Sequence, residues 1–411
     1  MNGAYTPSQA AAGSVRGDAK FHAPVPTRRG WAENVRVWWR EIDKWLLGLV
    51  LLLMMLGTVA VAAASPAAGN QYNVGEFVFF ERHIVFQILG VGVMLAVSFA
   101  SRENARRIGI LMAVAMLFLL FLVPVIGVEK NGARRWLDLG MSLQPSEFLK
   151  PGFAILLAWM LSWRLRDPEL PVLGYATLTM ALVGALLMLQ PNLGATILFG
   201  GVWFVLVLLS GVSIQKVAAL IVGGLGSITA AYFLYDNARY RIDSFFGGGT
   251  AFDQVDLAQR TLLNGGWTGS GLWLGTRKMN LPEAHTDYIF SVIGEEFGLL
   301  MCGVFLLLFV AIVVRVLVRL VDEENLFALL AGAGLATQIG GQAFINMLVN
   351  LQLFPSKGMT LPLVSYGGSS TIAVCFTIGL LLAITRRNPF LEREASGLKN
   401  LFERQKSEER P

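Results

Sequence analysis

Charge is scarce in this chain. Of its 411 residues only 15% are Asp, Glu, Lys or Arg, against about a quarter in soluble domains, while 55% are hydrophobic and the mean hydropathy is +0.58. That imbalance excludes an ordinary soluble fold. Cysteine is nearly absent. Cys302 and Cys375 both fall inside apolar runs, where they behave as small hydrophobes, so no disulfide framework is available. Histidine is as sparse: His22, His83 and His285 lie far apart, and no His/Cys metal-ligand spacing exists. Residues 1–44 also lack the early apolar core of a signal peptide, so no cleavage is expected.

What is present is a series of apolar runs of about 20 residues, the length a helix needs to cross roughly 30 Å of hydrocarbon. Ten are predicted, at about 45–65, 83–100, 107–127, 147–163, 171–190, 193–211, 213–235, 288–320, 325–350 and 362–385. The fold class expected is therefore all-α, an integral membrane protein of about ten transmembrane helices. A large extracytoplasmic loop, 236–287, joins the seventh and eighth. The eighth run is longer than a bilayer requires and is expected to tilt or project. Three segments follow: a tail 1–44, a membrane domain 45–387 and a tail 388–411. Both tails read as disordered and solvated, the second with the makings of an amphipathic surface helix.

Arg28, Arg29, Arg36, Arg40 and Lys44 flank the first span and place the N-terminus in the cytoplasm. An even number of spans returns the C-terminus to the same side. Arg102, Arg106, Arg107, Arg164, Arg166, Lys216, Arg315 and Arg319 then fall in cytoplasmic loops, so topology rather than a nucleic-acid-binding face accounts for the pI near 9.3. Against this bias, the outer side keeps Lys130, Arg134 and Arg135 in 128–147, Arg239, Arg241, Arg260, Arg277 and Lys278 in the long loop, and Lys357 in 351–361. An anionic ligand explains such cations, since Arg holds phosphate with two parallel hydrogen bonds. The other explanation is balance by Asp138, Asp243, Asp253 and Asp256, with aliphatic stems lying along lipid. The ligand reading carries more weight for Arg134, Arg135 and Lys357.

The stretch LPEAHTDYIF (281–290) sets Glu283, His285 and Asp287 in a row just before the eighth span. A carboxylate at that membrane mouth is a functional-site candidate. Alternatively, Thr286 or Asp287 caps the helix, a contribution of about 1 kcal/mol. Gly247–Gly249, Gly265, Gly266, Gly269 and Gly271 around Trp267 and Trp273 predict a mobile flap whose tryptophans either stack on sugars or form an interfacial belt. Gln338, Gln342, Glu295 and Glu296 are expensive polar residues within spans and are expected to face the bundle interior. At 100° per residue Glu295 lies roughly 80° from Asp287 and Glu296 on the opposite face, so the pair is expected to do a different job.

Four strings now stand together: NGARRWLDLGMSLQPSEFLK (131–150), LQPNLGAT (189–196), LPEAHTDYIF with GEEFG (281–298), and FINMLVNLQLFPSKGMTLPLVSYGGSS (344–370). In combination, over residues 42–387, they closely resemble the SEDS family of peptidoglycan glycosyltransferases. The long first tail, the IDKWLLGLVLLLMMLGTVAVAAAS span and FFERHIVFQ resemble the family's cell-division branch (FtsW) more than its elongation branch (RodA).

The resemblance implies a ten-helix polymerase that uses lipid II, the undecaprenyl-pyrophosphate-linked disaccharide-pentapeptide, as donor and acceptor. Asp287 matches the family's catalytic aspartate. A base at that place is chemically apt, because the acceptor 4-hydroxyl must lose its proton as it attacks the anomeric carbon, and cations would steady the departing pyrophosphate. Arg134, Arg135, Glu147, Lys150 and Lys357 match charged positions of the family's outer motifs and, with Glu283 and His285, are the candidate substrate contacts. Ser146 and Glu147 can equally cap the fourth helix, Lys150 can snorkel, and the SYGGSS glycines can serve close packing. Asn192 departs from the family's usual Asp in QPDLG, which weakens any requirement for charge there. A divalent cation, Mg or Mn, fits beside Asp287, although no ligand cluster demands one. Implied partners are a class B penicillin-binding transpeptidase (FtsI-like) and regulators of the FtsQ-FtsL-FtsB type at the division septum. Two rivals remain: a lipid II flippase, which needs the anion-binding residues without a base, and a scaffold that needs neither.

Overall fold

The computed structural model describes residues 30–130, 133–138, 142–165, 167, 169–235, 239, 243, 254–355 and 358–387. Two units separate at Arg40/Glu41. Of the first, the described part is residues 30–40, all but the last residue of helix α1 (Trp31–Glu41), which falls inside the tail expected to be unstructured; Glu41 belongs to the second unit. Trp31 and Trp39 are exposed. The expected amphipathic helix in 388–411 lies outside the described residues.

The second unit is a multi-pass membrane bundle. Its helices are α2 (Lys44–Gln71), α3 (Val78–Ser98), α4 (Arg102–Ile126), α5 (Pro145–Ser162), α6 (Val172–Leu189), α7 (Leu193–Leu209), α8 (Ile214–Leu234), α9 (Gln254–Asn264), α10 (Ile289–Leu320), α11 (Leu326–Asn350) and α12 (Gly368–Ile384). Among the described residues, eight are long and apolar enough to span a membrane, and α7 and α12 are shorter apolar helices. Together they correspond one for one to the ten predicted runs. Local chemistry starts several of them. Asp43 caps α2 by accepting from the Trp45 and Leu46 amides, Ser101 caps α4, Asn325 caps α11, and Pro145 opens α5 where its missing N–H costs nothing. Asn192 caps α7 through the Ala195 amide, a task that calls for a side-chain oxygen but no charge.

Helix α5 is central, packing on α4, α11, α12 and α7; α3 lies along α12, and α10 lies between α2 and α11. At the α4–α5 crossing Gly152 meets the Ala113 backbone so closely that an added Cβ would lie 2.7 Å from its nitrogen. Helix α8 is almost wholly exposed. A small antiparallel sheet, β1 (Val128–Lys130), β2 (Ala133–Asp138) and β3 (Ser142–Leu143), links α4 to α5.

Helix α10 does not run through as one rod. Gly298 has φ +83°, and a side chain there would overlap the Trp267 carbonyl oxygen and the Gly269 nitrogen. The segment 266–271 enters the break. The Leu299 and Leu300 amides donate to the Gly266 and Trp267 carbonyls at 3.0 and 3.2 Å, and the Ser270 and Gly271 amides donate to the Glu295 and Glu296 carbonyls at 2.8 and 3.0 Å. Backbone groups freed by the break are thus satisfied, as a low-dielectric setting demands. Leu299–Leu320 alone gives about 33 Å of helix at 1.5 Å per residue, close to the hydrocarbon thickness. The excess length that suggested tilt or projection is a separate short helix.

The carboxylates before the break are buried, as expected for costly groups, but they serve the neighbouring segment. Glu295 accepts from Asn264 Nδ2, Arg277 N and Lys278 N at 3.0, 2.8 and 2.9 Å. Glu296 accepts from Gly275 N at 3.2 Å, from Trp273 N and from Lys278 Nζ. The same segment reaches α2, where Pro66 lacks the N–H that would bond the Ala62 carbonyl. That carbonyl accepts from Trp273 Nε1 at 3.1 Å, and its neighbour Ala63 O accepts from Lys278 Nζ at 2.8 Å. Gly265 and Gly275 also press against α10. Over 254–281, then, the structure has a docked strap in place of the flap the glycines predicted; Gly247–Gly249 lie outside the described residues.

At the opposite end of the bundle Asp43 accepts from Arg315 Nε (2.8 Å) and Nη2 (3.0 Å) and from Arg319 Nε (3.0 Å). Arg102 pairs with Glu323 at 2.9 Å, and Arg386 with Glu41 at 3.3 Å. The starts of α2 and α4 are thereby tied to the ends of α10 and α12.

Candidate active site

The strap delivers the chain into residues 281–288, a run of turns at the mouth of the bundle. Gln71 Nε2, from the end of α2, holds the Leu281 carbonyl at 2.9 Å. The next three carbonyls in this run that matter for Asp287 each have a donor: His285 O from Tyr366 N (2.9 Å), Thr286 O from Ser365 Oγ (2.6 Å) and Asp287 O from Asn346 Nδ2 (2.8 Å) and Asn350 Nδ2 (3.2 Å). Helix α10 starts at Ile289 with Tyr288 at the capping position, and that residue makes no side-chain cap bond. Asn350 Oδ1 instead takes the Ser291 amide at 3.1 Å and its hydroxyl at 2.7 Å. Another helix thus supplies the capping function that the sequence offered to Thr286 or Asp287.

Opposite Asp287 stands Arg135. Successive side chains on a strand point to opposite faces, so Arg134 and Arg135 part company. Arg134 is exposed and pairs with its cross-strand partner Glu129 at 3.5 Å. Arg135 donates from Nε to Gln190 O at 3.1 Å and from Nη2 to Pro191 O, which fixes it on the turn before α7. The two walls meet at Gly358: a Cβ added there would lie 3.3 Å from Asp287 Oδ2 and 3.6 Å from Arg135 Nη1. A carboxylate and a guanidinium therefore border one spot. The segment bearing Gly358 is itself held by α11, through Asn346 Nδ2 to Met359 O (2.7 Å) and Gln342 Nε2 to Thr360 O (2.9 Å). Lys357 lies outside the described residues.

The remaining candidates lie behind this mouth. Lys150 is buried, donating to Glu147 Oε1 at 2.7 Å and to Gln342 Oε1 at 2.8 Å, while Glu147 Oε2 is buried without a partner. Their charges thus meet inside the bundle. Glu283 has φ +53° and accepts from Tyr72 OH (2.8 Å) and Thr286 Oγ1 (2.7 Å), so both its oxygens are engaged. Burial and then that Glu283 bond push the Tyr72 hydroxyl up to about 12, so it remains a donor at any ordinary pH. His285 is buried among Phe79, Tyr366 and Tyr72, with ring centroids 4.4, 5.4 and 5.9 Å away. Burial pushes it down to about 4 despite the opposing pull of Glu283, and its Nδ1 has no partner. It is a neutral wall residue. Among the described residues, no three His, Cys, Asp or Glu side chains gather as a metal site.

Several residues that shape the mouth carried no weight in the sequence: Asn346, Asn350, Gln71, Tyr72 and Gly358. The first two left a readable trace. Gln342, Asn346 and Asn350 recur every four residues along an otherwise apolar helix, the spacing of one polar face. Of the other outer cations, Arg239 pairs with Asp243 at 3.6 Å, Arg260 with Asp256 at 2.9 Å and Lys278 with Glu296, so balance by acidic neighbours describes these three, while Arg277 Nε donates to the neutral Asn264 Oδ1 at 3.2 Å. Arg241 and Asp253 lie outside the described residues.

Comparison with known proteins gives a consistent picture. A family model of cell cycle proteins, FtsW/RodA/SpoVE, matches residues 43–389. The chain is 36% identical over 360 residues to a probable peptidoglycan glycosyltransferase FtsW of Caulobacter vibrioides, covering 86% of this chain and 91% of that protein. A protein of the same description from Halorhodospira halophila is 36% identical, with 84% and 90% covered. Among solved structures, a chain of a peptidoglycan synthase complex, described as coordinating polymerization and crosslinking, superposes with TM-score 0.72 at 30% identity, covering 84% of this chain and 97% of that one. The rod shape determining protein RodA of Thermus thermophilus gives TM-score 0.63 at 30% identity over the same shares.

Proposed function

The chain belongs to the FtsW/RodA/SpoVE family of cell cycle proteins, and from that premise we propose that it is a peptidoglycan glycosyltransferase of the cell-division type. It polymerises lipid II into glycan strands at the outer face of the cytoplasmic membrane, with both termini in the cytoplasm and the Asp287 mouth facing out. The observation that carries this reading is the meeting of Asp287 Oδ2 and Arg135 Nη1 at Gly358.

In the step proposed, the acceptor sugar's 4-hydroxyl oxygen bonds to the donor's anomeric carbon while the bond from that carbon to the lipid pyrophosphate breaks. Asp287 takes the hydroxyl proton, and the pyrophosphate leaves with the electron pair, steadied by Arg135 and by Lys357. Attack from the face opposite the leaving group turns an α-linked donor into a β-linked glycan. General-base help of this kind is worth about 10²- to 10⁴-fold in rate. Preorganisation supports the assignment: Arg135 is already fixed by two carbonyls and the Asp287 backbone by bonds to the carbonyls of the two preceding residues, so little reordering accompanies reaction.

The solved chain that superposes with TM-score 0.72 belongs to a peptidoglycan synthase complex described as coordinating polymerization and crosslinking, which supports a crosslinking partner here. A class B penicillin-binding transpeptidase, with regulators of the FtsQ-FtsL-FtsB type, therefore completes the synthase at the septum. The test is polymerisation of fluorescent lipid II by the purified chain with that transpeptidase, read as glycan length on a gel. Polymer is expected; transfer of lipid II across vesicles without polymer would favour transport instead.

A further inference from the structure

Two separate segments build the mouth, residues 281–288 with Asp287 and residues 358–361 with Gly358, and their separation in sequence means that something must set their spacing. Asn346 is placed to do so. It is 2% exposed on α11, and its amide nitrogen donates to Asp287 O at 2.8 Å and to Met359 O at 2.7 Å. An amide NH₂ has two hydrogens, so these bonds use its full donor capacity and leave it no other arrangement. Met359 adjoins Gly358, the residue against which the carboxylate and the guanidinium both lie. One turn on, Asn350 Nδ2 donates to Asn346 O at 2.9 Å, which braces the end of α11 that carries the amide.

We propose that Asn346 is a positioning residue that fixes the distance from Asp287 to the Gly358 segment and so to Arg135. It acts on the reaction through Asp287 and touches no substrate. The proposal rests on Asp287 being the base. A misplacement of about 1 Å in such an arrangement costs about 10²-fold, and the group displaced here is the base itself.

The experiment compares the full chain, in complex with its transpeptidase, as wild type, Asn346→Ala, Asn346→Asp and Asp287→Asn. Polymerisation of lipid II gives kcat, KM and the pH profile of kcat, and thermal melting reports folding. Asn346→Asp keeps the volume and gives up the amide donors, so it carries the test should the alanine variant fold poorly. Both Asn346 variants are expected to lose about 10- to 100-fold in kcat, with KM within about 3-fold of wild type and the acid limb of the kcat profile displaced. Wild-type kcat in both, with Asp287→Asn inactive, overturns the proposal alone. So does a loss carried by KM with an unmoved pH profile, which would make Asn346 a binding residue. Failure of both Asn346 variants to fold would make it a folding residue, again against the proposal. Full activity in Asp287→Asn would instead overturn the reading of Asp287.

Discussion

Lys278→Met tests the strap that leads into the mouth. The Lys278 and Glu296 side chains are 2% and 0% exposed, and Lys278 Nζ donates both to Glu296 Oε1 and to Ala63 O at 2.8 Å. Methionine fills nearly the same space but leaves Glu296 with backbone donors from Trp273 and Gly275 and no countercharge. Removing one member of a buried ion pair costs about 3–5 kcal/mol, whereas replacing both members costs much less. Lys278→Met should therefore lower the melting midpoint of the detergent-solubilised protein clearly, and Glu296→Gln should do so too. The double variant should melt above the sum of the single losses, with a coupling of about 0.5–3 kcal/mol. Polymerisation by Lys278→Met should fall as well, because the strap runs directly into the Asp287 segment. A Lys278→Met midpoint equal to wild type, or strict additivity in the double variant, would refute the strap.

Gly298→Ala places a side chain on a +83° backbone and into the Trp267 carbonyl, so it should destabilise by at least about 1–3 kcal/mol, read as a lower melting midpoint. Gly358→Val inserts an apolar group between Asp287 and Arg135; the expected result is normal membrane insertion and melting with polymerisation reduced at least about 10-fold, the scale of one lost catalytic contact. Arg135→Ala removes a charge-assisted contact worth about 1.5–3 kcal/mol and should weaken lipid II use while leaving insertion intact, as measured by polymerisation against lipid II concentration. His285 is held near 4, below its unfolded value near 6.5, so the folded state binds fewer protons between those values and stability is lost as pH falls from about 6.5 toward 4. Melting of His285→Phe across that range should be flatter than that of wild type.

The apolar runs made the helices legible, because a bilayer imposes one length on each and scarcity of charge marks their ends. The break in α10 was not legible in the same way. Hydropathy continues through Gly298, and only the incoming carbonyls of Gly266 and Trp267 decide that the helix stops there. Glu295 and Glu296 read correctly as costly and as separate from Asp287, but their partners are backbone amides some 20 residues upstream, which no periodicity encodes. The site divides along the same line. Asp287 and Arg135 stand out by charge at places where charge is expensive. Asn346 and Asn350 act through backbone carbonyls, contacts that follow from the tertiary meeting of α11 with two loops.

The most direct test of the account is the Asp287→Asn variant, purified with its transpeptidase and assayed for lipid II polymerisation beside wild type. Asn preserves the shape of the side chain and every backbone bond of the segment while removing the oxygen proposed to take the proton. Folded, partner-bound protein with glycan synthesis reduced by at least about 10²-fold is expected; polymerisation at the wild-type rate would contradict a base at Asp287.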